Sequence, residues 1–324
     1  MNQENGTSRR WAIVLAGGDG QRMVPFITRW LGRPRPKQYC AFAGRRTMLE
    51  HTCARALDSV PAERIVTVVN RDHRRFLSGH RRRRLPGAIV EQPERRDTGP
   101  GVFLPLARVV ASDPEALVAI MPSDHFIRPR AAFREKLEEA FRLAEFLPGQ
   151  IVLLAARPDA PEPDYGWIVP GSRLAGEAVL VRRFKEKPAP EEAAELHARG
   201  GLWNTMIVVA RAAALWDLAR EFQPAMIERF DALRWWMGRE EQDEAVALAY
   251  RGMPSVNFSR GVLEPAAPWT VALPMTGVEW SDWGRPERIV ETLEEMGRTR
   301  RFPAEALREL APAAAEPPRE LAAA

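Results

Sequence analysis

Three glycines, Gly17, Gly18 and Gly20, follow an apolar run and precede a cation, Arg22, in Ala-Ile-Val-Leu-Ala-Gly-Gly-Asp-Gly-Gln-Arg. These residue types can grip a phosphate. Glycine permits positive φ and leaves backbone amides uncovered, so successive N–H groups can close on an anion, and a guanidinium adds a permanent charge with a fork of donors. A ligand-free tight turn would use the same glycines. Two other glycine loops are excluded by residue type. A Walker A loop needs Lys and then Ser or Thr after its last Gly, where Gln21 and Arg22 stand, and the dinucleotide fingerprint needs a third small residue where Met23 stands.

Two carboxylates are candidates for a hard cation. Asp124 follows an apolar run and precedes Phe126 and Ile127, and Asp282 lies in Trp-Ser-Asp-Trp-Gly. Magnesium at phosphate-transfer sites takes one or two protein carboxylates and completes its octahedron with phosphate oxygens and water. An Asp at either place serves equally as a helix N-cap or turn residue. Lys37, in Arg-Pro-Lys-Gln, and Lys187, in Phe-Lys-Glu-Lys-Pro, read as point charges for phosphate or as solvated lysines. Asn204, in Leu-Trp-Asn-Thr, reads as an amide holding a sugar hydroxyl beside an aromatic face, or as a turn former. His125 reads as a structural or loop-positioning residue rather than a base. No Ser-His-Asp or Cys-His constellation is evident.

Strand-like runs at 11–16, 64–69, 88–91, 117–121 and 151–155 alternate with helical stretches, the clearest being 131–146, where Phe133, Leu137, Phe141 and Ala144 recur at helical spacing. The alternation predicts an α/β fold of Rossmann-like type, a mostly parallel sheet with helices on both faces, whose ligands gather at the carboxyl ends of the strands. Further on, the sequence predicts a β segment at 179–184, a short helix at 190–200, a strand at 206–210 and a helical insertion at about 212–250, with Trp235 and Trp236 inside or at an interface. The expected domain spans 11–302 and has a helical C-terminal part. Residues 1–10 and the Ala-, Pro- and Glu-rich 303–324 are expected to be disordered.

The chain has 324 residues, 45% hydrophobic and 28% charged, with 47 Lys and Arg against 43 Asp and Glu. That balance describes a soluble globule and does not call for nucleic acid. No apolar run is long enough to span a bilayer. Cys40 and Cys53 form neither a metal-ligand spacing nor a disulfide framework, which favours a reducing cytoplasm, with Cys53 packing as a small apolar residue. The basic run from Arg71 to Arg84 lacks the interleaved aromatics of a single-strand binder and reads as the solvated face of a surface helix.

The motifs occur in a telling order. The glycine loop, Arg-Pro-Lys-Gln-Tyr, Glu-Gln-Pro-Glu-Arg-Arg-Asp-Thr-Gly-Pro, Met-Pro-Ser-Asp-His-Phe-Ile, Asp-Tyr-Gly-Trp-Ile, Phe-Lys-Glu-Lys-Pro, Leu-Trp-Asn-Thr, Gly-Val-Leu-Glu and Trp-Ser-Asp-Trp-Gly follow one another as in sugar-1-phosphate nucleotidyltransferases. The chain resembles the mannose-1-phosphate guanylyltransferases most, over about residues 11–297. The resemblance implies transfer of a nucleotidyl group, GMP favoured, from a nucleoside triphosphate to a hexose-1-phosphate, mannose-1-phosphate favoured, with release of pyrophosphate. It implies that Asp124 and Asp282 hold Mg2+, and that Gly17, Gly18, Gly20, Arg22 and Lys37 hold the triphosphate. By the same likeness Asp97 and Thr98 lie near the base, and Gly166, Glu186, Lys187 and Asn204 form the sugar-phosphate site. Arg22, Lys37 and Lys187 then carry catalysis by neutralising anions. Nucleic acid and membrane are not expected as partners; a homo-oligomer is compatible with the two-tryptophan segment.

Three positions depart from the family pattern, which usually has Asn at 97, Gly at 206 and Asp at 257, where this chain has Asp97, Met206 and Asn257. A bulky Met206 near the sugar pocket leaves a different sugar, such as glucose-1-phosphate, as an alternative acceptor. A non-catalytic nucleotide-sugar sensor on the same fold would not need to keep both aspartates. A guanylyltransferase acting on a pterin would leave the Glu-Lys-Pro and Trp-Asn segments unexplained.

Overall fold

The first strand, β1 (Arg10–Leu15), sends Trp11 and Ile13 into one hydrophobic cluster and Ala12 and Val14 into another. An apolar residue at every position of a period-two element is what a strand covered on both faces requires. The same holds in β2 (Ile65–Asn70), where Val66 and Val68 join the first cluster and Ile65 and Val69 the second. The computed structural model describes residues 9–77 and 85–307.

After β1 come α1 (Val24–Leu31), α2 (Met48–Ala56), β2, β3 (Ala88–Gln92), α3 (Thr98–Ser112), β4 (Leu117–Pro122), β5 (Phe126–Arg128), α4 (Arg130–Phe146) and β6 (Ile151–Ala156). The chain continues through β7 (Gly166–Ala175), β8 (Ala178–Glu186), α5 (Pro190–Ala198), β9 (Leu202–Arg211), α6 (Ala212–Phe222), α7 (Pro224–Leu233) and α8 (Gln242–Tyr250). It closes with β10 (Thr270–Pro274), β11 (Glu279–Ser281) and α9 (Pro286–Glu295). A nine-stranded sheet has the order β3-β2-β1-β4-β9-β6-β10-β8-β7. Strands β3, β2, β1 and β4 are mutually parallel, as are β6 and β10, whereas β9 and β8 run against their neighbours. The α/β expectation stands, with mixed pairing in the second half. Helices α3, α6, α7 and α8 pack on one face of the sheet and α2 and α4 on the other.

Several expectations need correction. Arg10 is not frayed: it opens β1, and its guanidinium pairs with Glu138 at 2.6 Å and covers the Phe141 ring. The part after 250 is not simply helical, because β10 returns to the middle of the sheet beside β6. Residues 304–307 form a short 3-10 turn rather than disordered chain, and Ala306 is buried with Phe302, Phe26 and Trp283 in a third cluster. Trp235 and Trp236 are not inside; they are 76% and 43% exposed. Residues 71–76 of the basic run form a 3-10 helix, but His73 is buried and faces Asp19 at 3.1 Å, so this is not a wholly solvated face. The remainder of that run from 78, residues 1–8 and the tail from 308 lie outside the described residues. Cys40 and Cys53 are buried and share no disulfide, and Cys53 packs among apolar residues as expected. Among the described residues no helix is long and apolar enough to cross a membrane.

Candidate active site

Side chains around the glycine loop hold its carbonyls inward. Gln38 Nε2 donates to the carbonyls of Ala16 at 2.9 Å and Gly18 at 2.6 Å, the Tyr39 hydroxyl donates to Ala16 at 3.1 Å, and Asn70 Nδ2 donates to Gly17 at 2.5 Å. In a planar trans peptide the C=O and the following N–H point opposite ways, so fixing these carbonyls turns the amides of Gly17, Gly18 and Asp19 outward. Among the described residues none of those amides has a protein acceptor. A Cβ at 17 would meet Gln92 Nε2 at 2.6 Å and displace that amide, and glycine is favoured at 20 by a φ of 62°. A relay sets the amide orientations: the Tyr250 hydroxyl donates to Gln92 Oε1 at 3.0 Å, and Gln92 Nε2 donates to Asn70 Oδ1 at 3.1 Å. Helix α8 thereby reaches the loop.

A cavity of about 190 Å³ opens beside these amides, lined by Gly17, Gly18, Asn70, Gln92, Asp97 and Thr98 among others. The predicted base-side residues therefore meet the predicted phosphate loop. Asp97 caps α3, accepting from the Thr98 amide at 2.6 Å, and has a positive φ of 63°. Thr98 Oγ1 accepts from the Phe258 amide at 2.8 Å, and the Asn257 amide group donates to Asp97 Oδ1 at 3.4 Å. Two departures from the family pattern, one adding a carboxylate and one removing it, are thus each other's neighbours.

The small antiparallel pair β5–β11 brings the two aspartates together. Ser281 stands opposite Phe126, so Asp124, two residues before Phe126, and Asp282, just after Ser281, emerge at the same end. The buried Lys37 lies between them, its ammonium 3.1 Å from Asp124 Oδ2 and bonded to the Asp282 carbonyl. Asp282 accepts from the Tyr165 hydroxyl at 2.5 Å, Arg22 at 3.0 Å and the Gly284 amide at 2.9 Å. Burial alone would raise both carboxyls, but the Lys37 charge outweighs it and holds both below the usual carboxylate range, helped at Asp282 by the Tyr165 hydrogen bond. Arg22 also pairs with Asp164 at 2.9 Å. Burial lowers its pKa and its two carboxylate partners more than reverse that, so it stays charged. Burial pushes the His125 imidazole down to about 4, and Trp280 Nε1 donates to its Nδ1 at 3.2 Å. His125 is therefore a neutral, held residue, in line with its sequence reading.

Ionised carboxylates at one strand-pair end are hard oxygen donors that fit a magnesium ion sharing phosphate oxygens. Among the described residues no group of three or more His, Cys, Asp or Glu side chains is arranged to hold a metal by itself.

The third group lies on β7, β8 and β9. A Cβ at Gly166 would meet Glu186 Oε2 at 2.6 Å and Asn204 Cβ at 3.2 Å, so glycine here leaves room beside both side chains. Asn204 sits within β9 rather than in a turn, at a bulge against β6. Its Oδ1 accepts from the Met206 amide at 2.9 Å and its Nδ2 donates to Ser259 at 3.4 Å. Met206 has φ 58°, which explains why a glycine suits that position in the family, and its sulfur accepts from Ser259 at 3.0 Å. Glu186 Oε2 is buried without a hydrogen-bond partner, and burial raises its carboxyl above the usual range. Lys187, exposed and with φ 48°, donates its amide to the Tyr165 carbonyl at 3.2 Å. Tyr165 joins this group to the aspartates, for its ring meets Trp203 at 4.8 Å while its hydroxyl binds Asp282.

Every predicted site residue therefore falls into one of three adjoining groups. Gln38, Tyr39, Asn70, Gln92, Tyr165 and Tyr250 were not predicted as site residues; Gln38, Tyr39, Gln92 and Tyr165 stand in the motifs quoted above, whereas Asn70 and Tyr250 had no such signal. The unpaired Glu186 supports one prediction. Glu186→Gln is expected to raise stability at pH 8 by on the order of 1 kcal/mol, because it removes a charge that burial disfavours while keeping the side-chain shape. A raised carboxyl pKa costs stability as pH climbs through it, so the gain should vanish near pH 4. Thermal unfolding at both pH values checks this, and an equal shift at both would refute it.

The sequence pattern of the nucleotidyl transferase family matches residues 11–298. The chain is 30% identical over 293 residues to the xanthan biosynthesis protein XanB of Xanthomonas campestris pv. campestris (strain B100), covering 88% of this chain and 60% of that protein. It is 31% identical over 290 residues to the mannose-1-phosphate guanylyltransferase of Escherichia coli (strain K12), covering 86% and 58%. It therefore spans about 60% of the length of such relatives. A solved structure described as mannose-1-phosphate geranyltransferase from Thermus thermophilus superposes with a TM-score of 0.73 at 29% identity, covering 87% of this chain and 79% of that one. With ordered motifs, three adjoining residue groups and a family match over nearly the whole described chain, this protein belongs to the nucleotidyl transferase family, among the sugar-1-phosphate nucleotidyltransferases.

Proposed function

We propose that this chain transfers a nucleotidyl group, with GTP the favoured donor, to a hexose-1-phosphate, with mannose-1-phosphate the favoured acceptor, releasing pyrophosphate and using Mg2+. The observation that carries the reading is the junction of outward-facing glycine-loop amides with Asp124, Asp282 and Lys37. When bound by the two aspartates, the magnesium ion supplies charge that offsets repulsion between the sugar phosphate and the α-phosphate. A phosphate monoester is already mostly dianionic near neutral pH, its second pKa being about 6, so it needs no general base. The protein's work is then positioning and charge. The loop amides and Arg22 hold the triphosphate, Lys187 steadies the sugar phosphate, and Lys37 sits where both anions approach. Glu186 Oε2 and Asn204 offer hydrogen-bonding groups for sugar hydroxyls next to the open face of Gly166. Measuring pyrophosphate release over a grid of nucleoside triphosphates and hexose-1-phosphates, with and without magnesium, tests the reaction and both specificities. The reading fails if no combination releases pyrophosphate above background.

An ionised Asp97 can accept from both the ring N–H and the exocyclic amine of guanine, a pair adenine does not offer. Asp97→Ala is expected to narrow the preference for GTP over ATP; unchanged preference removes Asp97 from base selection. Its neighbour gives a second test. Asn257→Asp alone sets two carboxylates side by side and is expected to weaken nucleotide binding about tenfold, within the usual coupling range for contacting residues. Adding Asp97→Asn should restore it, and a double variant as weak as the single would refute the pairing.

A further inference from the structure

A cavity of about 570 Å³ lies behind the two aspartates rather than in the site described above. Phe126, Ile127, Met48 and Leu293 contribute apolar wall, and the cationic lining is Arg45, Arg46, Arg55, Arg128, Arg130 and Arg298. Among the described residues no carboxylate lines it. Arg128 and Arg130 are neutralised from outside the cavity, by Glu279 and Asp58. Among the described residues Arg45, Arg46, Arg55 and Arg298 have no carboxylate within ion-pair distance.

Arg55 is the informative one. It is 6% exposed, its Nη2 donates only to the neutral oxygens of Thr52 at 2.6 Å and His125 at 3.2 Å, and its Nε is buried with no acceptor. Asp58 acts on Arg55 only from beyond ion-pair distance, and a buried guanidinium without a direct carboxylate partner is costly. Here three further unpaired arginines stand around the same space. That volume lies within the usual range for small-molecule sites, and guanidinium forks are well suited to phosphate.

We propose that this cavity is a second ligand site, taking a small organic phosphate with at least two negative charges, whose phosphate replaces the missing partner of Arg55. The site does not depend on the reaction proposed above. Its wall includes His125, Phe126 and Trp283, the immediate neighbours of Asp124 and Asp282, and the Phe126 and Trp283 rings stack at 4.8 Å. A ligand there would touch the residues that set the aspartates' positions.

The test is isothermal titration of the full chain with two probes, guanosine diphosphate and glucose 1,6-bisphosphate, which separate a nucleotide source from a sugar-phosphate source. At least one probe is expected to show a binding equivalent that Arg45→Ser/Arg46→Ser/Arg298→Ser weakens more than tenfold. These three arginines are exposed, so the variant should fold, and any equivalent belonging to the glycine loop should be unchanged within twofold. Arg55→Gln is expected to abolish the same equivalent. The proposal is overturned if neither probe shows an equivalent sensitive to the triple variant at millimolar concentration. Loss of pyrophosphate release with that equivalent intact would count against the reaction alone.

Discussion

Asp124→Asn is expected to lower turnover by about a hundredfold or more while leaving the fold intact, since removing several kcal/mol of metal-borne charge stabilisation has an effect of that size. Asparagine keeps the side-chain volume and still presents an oxygen to Lys37, so packing around β5 and β11 should hold. Asp282→Asn should behave alike, because both carboxylates emerge at one end of one strand pair and both are held ionised by the Lys37 charge. Asp164→Asn is the control. Asp164 also pairs with Arg22, but both side chains are about half exposed and the pair contributes little, so turnover should fall less than about threefold. Initial-rate pyrophosphate release, with circular dichroism to check folding, separates the cases. A folded Asp124→Asn protein with wild-type turnover would remove the metal-ligand assignment.

Lys37→Met is expected to lose stability and activity together. The Lys37 side chain is 4% exposed, and its removal leaves Asp124 without its ion-pair partner and Asp282 with Arg22 alone. Breaking a buried ion pair from one side costs about 3–5 kcal/mol, and the lower end applies because Asp124 keeps 35% of its side-chain surface in contact with water. The pH dependence has a definite sign. Both carboxyls lie below their ordinary range in the folded protein, so the stability they gain from Lys37 is present above the unfolded value of about 4 and is lost as pH falls through the lower folded values. The gap between wild type and variant, measured by denaturant unfolding with chelator present, should be full at pH 7 and shrink below pH 4. Magnesium should stabilise the variant more than the wild type, since it replaces the lost charge between the same carboxylates. Equal stability of the two proteins at pH 7 would show that Lys37 is not holding the pair.

The sheet was readable because its strands are apolar at every position or at alternate ones, and this pattern follows from covering both faces. The runs at 117–121 and 151–155 sit inside observed strands for that reason. The strands β10 and β11 were not readable. Each is short, and their places, one beside β6 and one opposite β5, are fixed by partners more than a hundred residues away. Of the two places expected for Trp235 and Trp236, the interior is ruled out, because the short turn after α7 leaves both at the surface.

By itself the sequence determined the chemical inventory: glycines that uncover amides, two carboxylates, two lysines and an asparagine, in an order that matches one family. Residue type and local spacing fix such properties, because backbone freedom and side-chain charge are local. The tertiary structure alone decided that Lys37 lies between Asp124 and Asp282, that Gln38, Tyr39 and Asn70 turn the loop amides outward, and that Asp97 faces Asn257. Strand pairing and packing across the sheet created those contacts, and a local pattern holds no record of which distant residue will arrive.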